Sequence, residues 1–110
     1  MQEVYIVSVA RTPIGSLGGV LSGVTAVELG KIAVQAAMER AGVNGTQIDE
    51  VYMGNVLQAN VGQAPAQQVS IAAGIATTTP CTTVNRVCAS GMKAIMLGAQ
   101  SIMLGDNQVV

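Results

Sequence analysis

One cysteine of this chain has the surroundings of a reactive group. Cys88 follows the β-branched run Thr82–Val84 and a short polar corner, and an apolar helical pattern begins at Met92. The first backbone N–H groups of a helix have no partner within it, and the helix dipole leaves roughly +0.5 charge at that end. A thiolate is favoured over a thiol at such a position. The pattern therefore predicts an activated nucleophile at a strand-to-helix corner, with a buried structural cysteine as the alternative.

The residues beside Cys88 fit the same interpretation. Arg86, two positions earlier, adds positive potential, while Ala89 and Ser90 are small. Gly91 lets another group approach the backbone closely. We expect a corner that is open enough for a substrate to reach the sulfur.

The helix that follows Cys88 is apolar on nearly every face. One stripe has the i, i+3, i+4 spacing of a helix face and consists of Met92, Ile95, Met96, Ala99, Ile102 and Met103. The opposite face carries Ala94, Leu97, Gly98, Ser101 and Leu104, and only Lys93 and Gln100 are strongly hydrophilic. Such a helix is expected to be buried between two layers of the protein.

Alternating strand and helix signals precede this helix. A capping box at Thr25–Glu28 predicts the start of the first helix, and Gly42 predicts its end. The other predicted elements are a first strand at Val4–Ala10, a second strand within Ile48–Leu57, a short helix at Ala66–Ala73 behind Pro65, and a third strand at Cys81–Asn85. The order βαβαβα predicts an α/β fold with a parallel sheet and right-handed crossovers. Sites in such folds gather at the carboxyl ends of the strands, where Cys88 lies.

Composition limits the classes of function. Half of the 110 residues are hydrophobic, 10% are charged, and the net charge is −1, so no basic nucleic-acid footprint is present. No apolar run approaches the roughly 18 residues of a membrane span, and no secretory signal is recognisable. Cys81 and Cys88 do not form a CxxC pair and the chain has no histidine, so no zinc site is expected. Cys81 is assigned to strand packing, and free thiols suit a reducing compartment.

Several collinear motifs resemble those of one enzyme family. The segment Asn85–Ala94 resembles the nucleophilic-cysteine motif of thiolases, the acetyl-CoA acetyltransferases. Thr79–Val84 resembles the short-chain acetoacetyl-CoA branch of that family, notably its mitochondrial members. Ala10–Gly15, Met53–Gln58 and Gly62–Pro65 extend the resemblance along the chain. It implies a thiolase-like fold, βαβαβα with a mostly parallel sheet, that forms part of a layered αβαβα subunit with the cysteine helix between two sheets.

The resemblance also implies a reaction in fatty acid metabolism. A thiolase condenses two acetyl-CoA molecules to acetoacetyl-CoA and free CoA, or runs the reverse thiolysis. Cys88 would carry the acetyl group as a thioester, and its backbone N–H would serve an oxyanion hole. Coenzyme A thioester is the substrate, so no cofactor, cofactor-binding residue or metal ligand is expected. The family's catalytic histidines and second cysteine are not in this sequence, and we expect these 110 residues alone to have no turnover.

Two other interpretations stay open at this stage. A ketoacyl-synthase-type condensing enzyme shares the fold and the nucleophilic cysteine, and a catalytically silent piece would serve only as an assembly surface. Residues 1–110 are expected to be an incomplete N-terminal thiolase domain, because Val109–Val110 resembles the opening of a buried strand. The resemblance further implies a homodimer or homotetramer. The expected location is the cytoplasm, with the mitochondrial matrix as the alternative.

Overall fold

The computed structural model describes residues 1–110, which form three helices and a two-stranded parallel sheet joined by loops. The elements in chain order are α1 (Ala26–Ala41), β1 (Val51–Gly54), α2 (Pro65–Ala72), β2 (Cys81–Val84) and α3 (Ser90–Met103). The α/β fold class is confirmed, as are the two later strands and all three helices. No helix combines the length and the apolar character that a membrane crossing needs.

The sheet separates the helices into two layers. β1 and β2 are parallel, with Val51 opposite Cys81 and Gly54 opposite Val84. Helix α2 packs on both strands and on α1, whereas α3 packs on the strands and on neither of the other helices. Because α3 touches the sheet without touching α1 or α2, it covers the opposite face. The buried apolar residues are Val51, Ala66, Val69, Ala73, Ile75, Val84 and Ala94.

Local capping explains where the first two helices begin. Thr25 and Glu28 form a reciprocal capping box at the start of α1, and Gly42 ends the helix in the left-handed region with φ 69°. Pro65 opens α2, where its missing N–H costs nothing. The hydroxyl of Thr83 on β2 accepts the N–H of Ala66 at 3.1 Å, so the sheet itself caps α2.

The predicted first strand, Val4–Ala10, is not part of the sheet. This segment has no strand pairing, and Tyr5, Ile6, Val7 and Val9 are each more than 70% exposed. A strand is stable only when a neighbour accepts and donates its backbone hydrogen bonds. The last residues of the chain bond instead to the segment just before β1, where the N–H of Asp49 donates to the carbonyl of Val109 at 2.9 Å. The order within the chain is therefore αβαβα.

Helix α3 is buried on one face only. The face with the smallest side chains, at Ser90, Ala94, Gly98 and Ser101, is buried against the sheet. Met92 and Ile95 on the outer side are 68% and 62% exposed. The second layer that the apolar pattern predicts is not formed by these 110 residues, so the outer side of α3 remains an exposed apolar surface.

Candidate active site

The corner between β2 and α3 presents Cys88 to solvent. Cys88 lies four residues after β2 ends at Val84, and its side chain is exposed. Helix α3 begins at Ser90, so the sulfur belongs to the residue just before the N-cap, Ala89, rather than to the first turn. The predicted strand-to-helix corner at the carboxyl end of a strand is confirmed, and the alternative of a buried cysteine is wrong.

The backbone of this corner is held in an uncommon conformation. Val87 has φ 51°, which lies in the left-handed region, although its side chain is β-branched. Conformations of this kind cost about 1–3 kcal/mol and persist only where surrounding bonds over-determine them. The carboxamide Oδ1 of Asn85 accepts the N–H of Val87 at 2.9 Å and provides one such bond.

Ser90 provides two more bonds to the corner. Its Oγ accepts the N–H of Arg86 at 2.9 Å and donates to the carbonyl of Val87 at 2.6 Å. The residue is only 4% exposed, so water competes little for these bonds. The sequence interpretation valued Ser90 only for its small size and missed this role. The sequence did offer one sign of this role. A serine at the start of a helix can bond to the backbone carbonyl three residues earlier, and Val87 lies at that spacing from Ser90.

Three backbone donors of the corner and of the first turn of α3 have no acceptor. The N–H groups of Cys88, Gly91 and Met92 make no hydrogen bond within the chain, whereas Lys93 already donates to the carbonyl of Ala89 at 2.8 Å. Unpaired amides at the start of a helix favour negative charge. The corner therefore combines an accessible thiol with amides that can bind a developing anion.

Close packing fixes the start of α3 against β1. A Cβ at Gly54, the last residue of β1, would come within 2.6 Å of the backbone nitrogen of Gly91 and within 2.8 Å of the carbonyl oxygen of Ser90. Backbone approaches backbone here, and only glycine leaves the space. The end of β1 therefore sets the position at which α3 begins, two residues after the sulfur.

Cys81 has a different environment. It lies in β2 opposite Val51, is half-buried, and its Sγ lies 3.4 Å from the carbonyl oxygen of Thr79. This agrees with its assignment to strand packing. Both cysteines are free thiols.

A cavity of about 450 Å³ lies on the other side of β1 from α3. Its lining includes Arg11, Met53, Asn55 and Val69, and it does not include Cys88. No group of three or more His, Cys, Asp or Glu side chains is placed to hold a metal ion. The thiol and the unpaired amides of the β2–α3 corner therefore lie outside this cavity.

Comparison with known proteins identifies the class to which this fold and corner belong. The sequence profile of the thiolase N-terminal domain matches residues 4–110, and the chain belongs to the thiolase family. The resemblance carried by the Asn85–Ala94 motif is thereby confirmed, and the ketoacyl-synthase interpretation is not favoured.

Individual relatives are similar over the whole chain. A mitochondrial acetyl-CoA acetyltransferase of Xenopus tropicalis is 60% identical over 110 residues, which are 100% of this chain and 26% of the relative. A cytosolic acetyl-CoA acetyltransferase of Gibberella zeae is 59% identical over 110 residues, 100% of this chain and 28% of the relative. Among solved structures, an Ascaris suum thiolase in complex with coenzyme A superposes with a TM-score of 0.95 at 43% identity, over 97% of this chain and 28% of that one. The chain thus spans about a quarter of the length of these relatives.

Proposed function

We propose that this chain supplies the nucleophile of an acetyl-CoA acetyltransferase and that Cys88 is the acyl-carrying residue. The observation that carries the proposal is the exposed sulfur of Cys88 at a corner where neighbouring amides have no acceptor. Membership of the thiolase family and the names of the similar proteins support acetyl-CoA as the substrate. The solved relative with coenzyme A bound supports the same class of ligand.

The first half-reaction transfers an acetyl group to the protein. The Cys88 sulfur, after losing its proton, attacks the carbonyl carbon of acetyl-CoA and forms a tetrahedral oxyanion. The bond between that carbon and the sulfur of CoA then breaks, and CoA leaves as a thiol with a proton. An acetyl thioester on Cys88 remains. Nothing is oxidised or reduced, and coenzyme A is a substrate, so the proposal includes no cofactor.

The free amides of the corner fit the charge that develops in this step. The tetrahedral oxygen carries a full negative charge that the thioester carbonyl does not, so donors aimed at it favour the transition state. The N–H of Cys88 itself is the proposed oxyanion donor. One donor of this kind is worth roughly 2.7–4 kcal/mol in acyl transfer.

The second half-reaction needs groups beyond those of the corner. The α-carbon of a second acetyl-CoA loses a proton and attacks the acetyl thioester, which gives acetoacetyl-CoA and the free Cys88 thiol. Proton removal next to a thioester calls for a general base, and this chain contains no histidine. We therefore expect the 110 residues alone to accept one acetyl group slowly and not to turn over.

Association and location form the remaining part of the proposal. We propose a homodimer or homotetramer for the enzyme, as the resemblance to thiolases implies. The relatives include both mitochondrial and cytosolic proteins. Two free thiols fit a reducing compartment. We propose the cytoplasm, with the mitochondrial matrix as the alternative, and imaging of the tagged protein in its own cell tests this choice.

The direct test of the acyl-carrier role uses acetyl-CoA labelled in the acetyl group. The chain should retain acid-stable label, and Cys88→Ser should lose it. Cys81→Ser is the matched control and should retain the label, since Cys81 lies half-buried in β2. A folded chain that takes up no label, or one that keeps its label after Cys88→Ser, would support the silent assembly interpretation instead.

A further inference from the structure

We propose that Ser90 is a positioning residue for the Cys88 nucleophile, acting through the backbone of the corner and not through substrate. This inference deepens the proposed function and rests on it only for the identity of the reaction. The placement of Cys88 by Ser90 is a property of the chain and can be measured separately.

The geometry of Ser90 connects the two residues that precede Cys88. Its hydroxyl oxygen accepts the N–H of Arg86 at 2.9 Å, and its proton goes to the carbonyl of Val87 at 2.6 Å. One side chain therefore holds the peptide group before Arg86 and the peptide group after Val87, so it brackets the left-handed residue. The backbone N–H of Ser90 also donates to the Val87 carbonyl, at 3.1 Å, so that oxygen receives two bonds from the same residue.

These bonds act on a residue whose backbone conformation is energetically unfavourable. Val87 lies in the left-handed region at φ 51°, a conformation that a β-branched residue avoids. When the bonds from the Ser90 hydroxyl are removed, we expect Val87 to relax toward negative φ. Because Cys88 is the next residue, we expect this rotation to displace its sulfur and its N–H from the positions that they hold in the corner.

The body of the fold anchors Ser90 itself. Ser90 is 4% exposed and opens α3, and its backbone carbonyl lies against Gly54 at the end of β1. Ser90 is therefore a buried residue at the start of α3 and in contact with β1, whereas Cys88, the residue that it positions, is exposed. Buried hydrogen bonds of this kind hold a geometry more firmly than exposed ones do.

The chain offers a closely matched control. Ser101 lies on the same buried face of α3, is 7% exposed, and its Oγ donates to the carbonyl three residues earlier, at Gly98, at 2.8 Å. Ser90 likewise donates to the carbonyl three residues earlier, at Val87. Ser101→Ala therefore removes a similar buried hydroxyl and a similar bond at a place eleven residues away from Ser90 along the helix.

The experiment compares alkylation of Cys88 by iodoacetamide, followed by peptide mass spectrometry, in Ser90→Ala, Ser90→Thr and Ser101→Ala. We expect Ser90→Ala to slow the reaction of Cys88 by about threefold or more, which is the scale of losing one net hydrogen bond. Ser90→Thr retains the hydroxyl and should restore the rate, and Ser101→Ala should leave it unchanged. The alkylation rate of Cys81 reports on loosening of the whole fold and should be the same in all variants. A Cys88 rate unaffected or raised by Ser90→Ala, or lowered equally by Ser101→Ala, overturns the proposal.

A measurement on the unsubstituted chain covers the case in which Ser90→Ala does not fold. The amide of Arg86 should exchange with deuterium about tenfold more slowly than that of Cys88, because the first donates to Ser90 and the second has no acceptor. Equal exchange rates would contradict the proposal. Neither readout involves acetyl-CoA, so a chain that takes up no acetyl label refutes the proposed function without deciding the role of Ser90.

Discussion

The two thiols of this chain differ in the access that a small electrophile has to them. Cys88 is exposed at a corner without acceptors for its neighbouring amides, whereas Cys81 is half-buried with its sulfur against the carbonyl of Thr79. Thiol reactivity follows electrostatic surroundings and exposure together. At the scale of single residues, the structure therefore gives the two cysteines different environments, which support the proposed chemical role of Cys88 and a packing role of Cys81.

Selective alkylation checks this difference. Near neutral pH, iodoacetamide should modify Cys88 about tenfold faster than Cys81, since only Cys88 combines exposure with unpaired amides. Peptide mass spectrometry over a time course gives both rates in one sample, and urea-unfolded chain provides the control in which the two rates should converge. Equal rates in the folded chain, or a faster Cys81, would remove the structural reason for choosing Cys88.

The sequence predicted the strand-to-helix corner that holds Cys88 but not the backbone conformation of that corner. The corner was expected from β-branched residues followed by a helical pattern, and both features lie in local sequence. The left-handed Val87 has no such signal, because no glycine or asparagine marks the position. The left-handed conformation of Val87 depends on hydrogen bonds with Asn85 and with Ser90. The burial of Ser90 depends on tertiary packing, which local sequence does not show.

At the scale of elements, local capping and close packing decide where each helix lies. The start and end of α1 follow from Thr25, Glu28 and Gly42, and the sequence predicted all three. Gly54 is different, because its importance comes from α3, which approaches it from more than thirty residues away along the chain. The sequence carries no sign of such a contact, and the structure was needed to find it.

Gly54→Ala should displace α3 from β1. The added Cβ would come within 2.6 Å of the Gly91 nitrogen, and backbone atoms cannot move aside as a side chain does. We expect a loss of about 1–3 kcal/mol in the free energy of unfolding, with slower alkylation of Cys88. Urea denaturation measures the first effect. Gly91→Ala is the matched control, because a Cβ there meets no atom within 4 Å, and a loss as large as that of Gly54→Ala would contradict the packing argument.

The capping box of α1 gives the stability a dependence on pH. The backbone N–H of Thr25, followed by its hydroxyl, donates to the carboxylate of Glu28 and lowers the pKa of that carboxyl below its usual 4.5. A lowered pKa in the folded state means that the stabilisation is complete above the unfolded pKa and is lost as the pH falls through the folded one. Glu28→Gln should therefore destabilise the chain at neutral pH and make little difference in strong acid. A difference that stays constant across this range would contradict the role of the charge.

At the scale of the whole molecule, surfaces are left without partners. Val4–Ala10 has no strand partner, and the outer side of α3 is apolar and exposed. The periodicity of the sequence could not predict either exposed surface. A β-branched run or an apolar stripe indicates that a segment tends to be buried, but it does not indicate which residues cover that segment. The α/β class needed only the alternation of elements, and for that reason it could be predicted.

The exposed side of α3 should drive self-association of the 110-residue chain. Ile95→Glu places a charge in the middle of that side, where Ile95 is 62% exposed, and should weaken association by about tenfold without loss of stability. Sedimentation velocity over a range of concentrations measures the effect. Gln100→Glu adds the same charge at an exposed position of α3 outside the apolar stripe and should change little. If both variants weaken association equally, net charge and not the apolar surface is responsible.

The central claim is that the β2–α3 corner makes Cys88 the residue to which an acetyl group is transferred. Peptide mapping of the chain after incubation with acetyl-CoA tests it most directly, because both thiols compete within one folded molecule. The account predicts an acetyl thioester on the peptide that contains Cys88 and none on the peptide that contains Cys81. Acetyl groups found on Cys81, or equally on both cysteines of the folded chain, would contradict it.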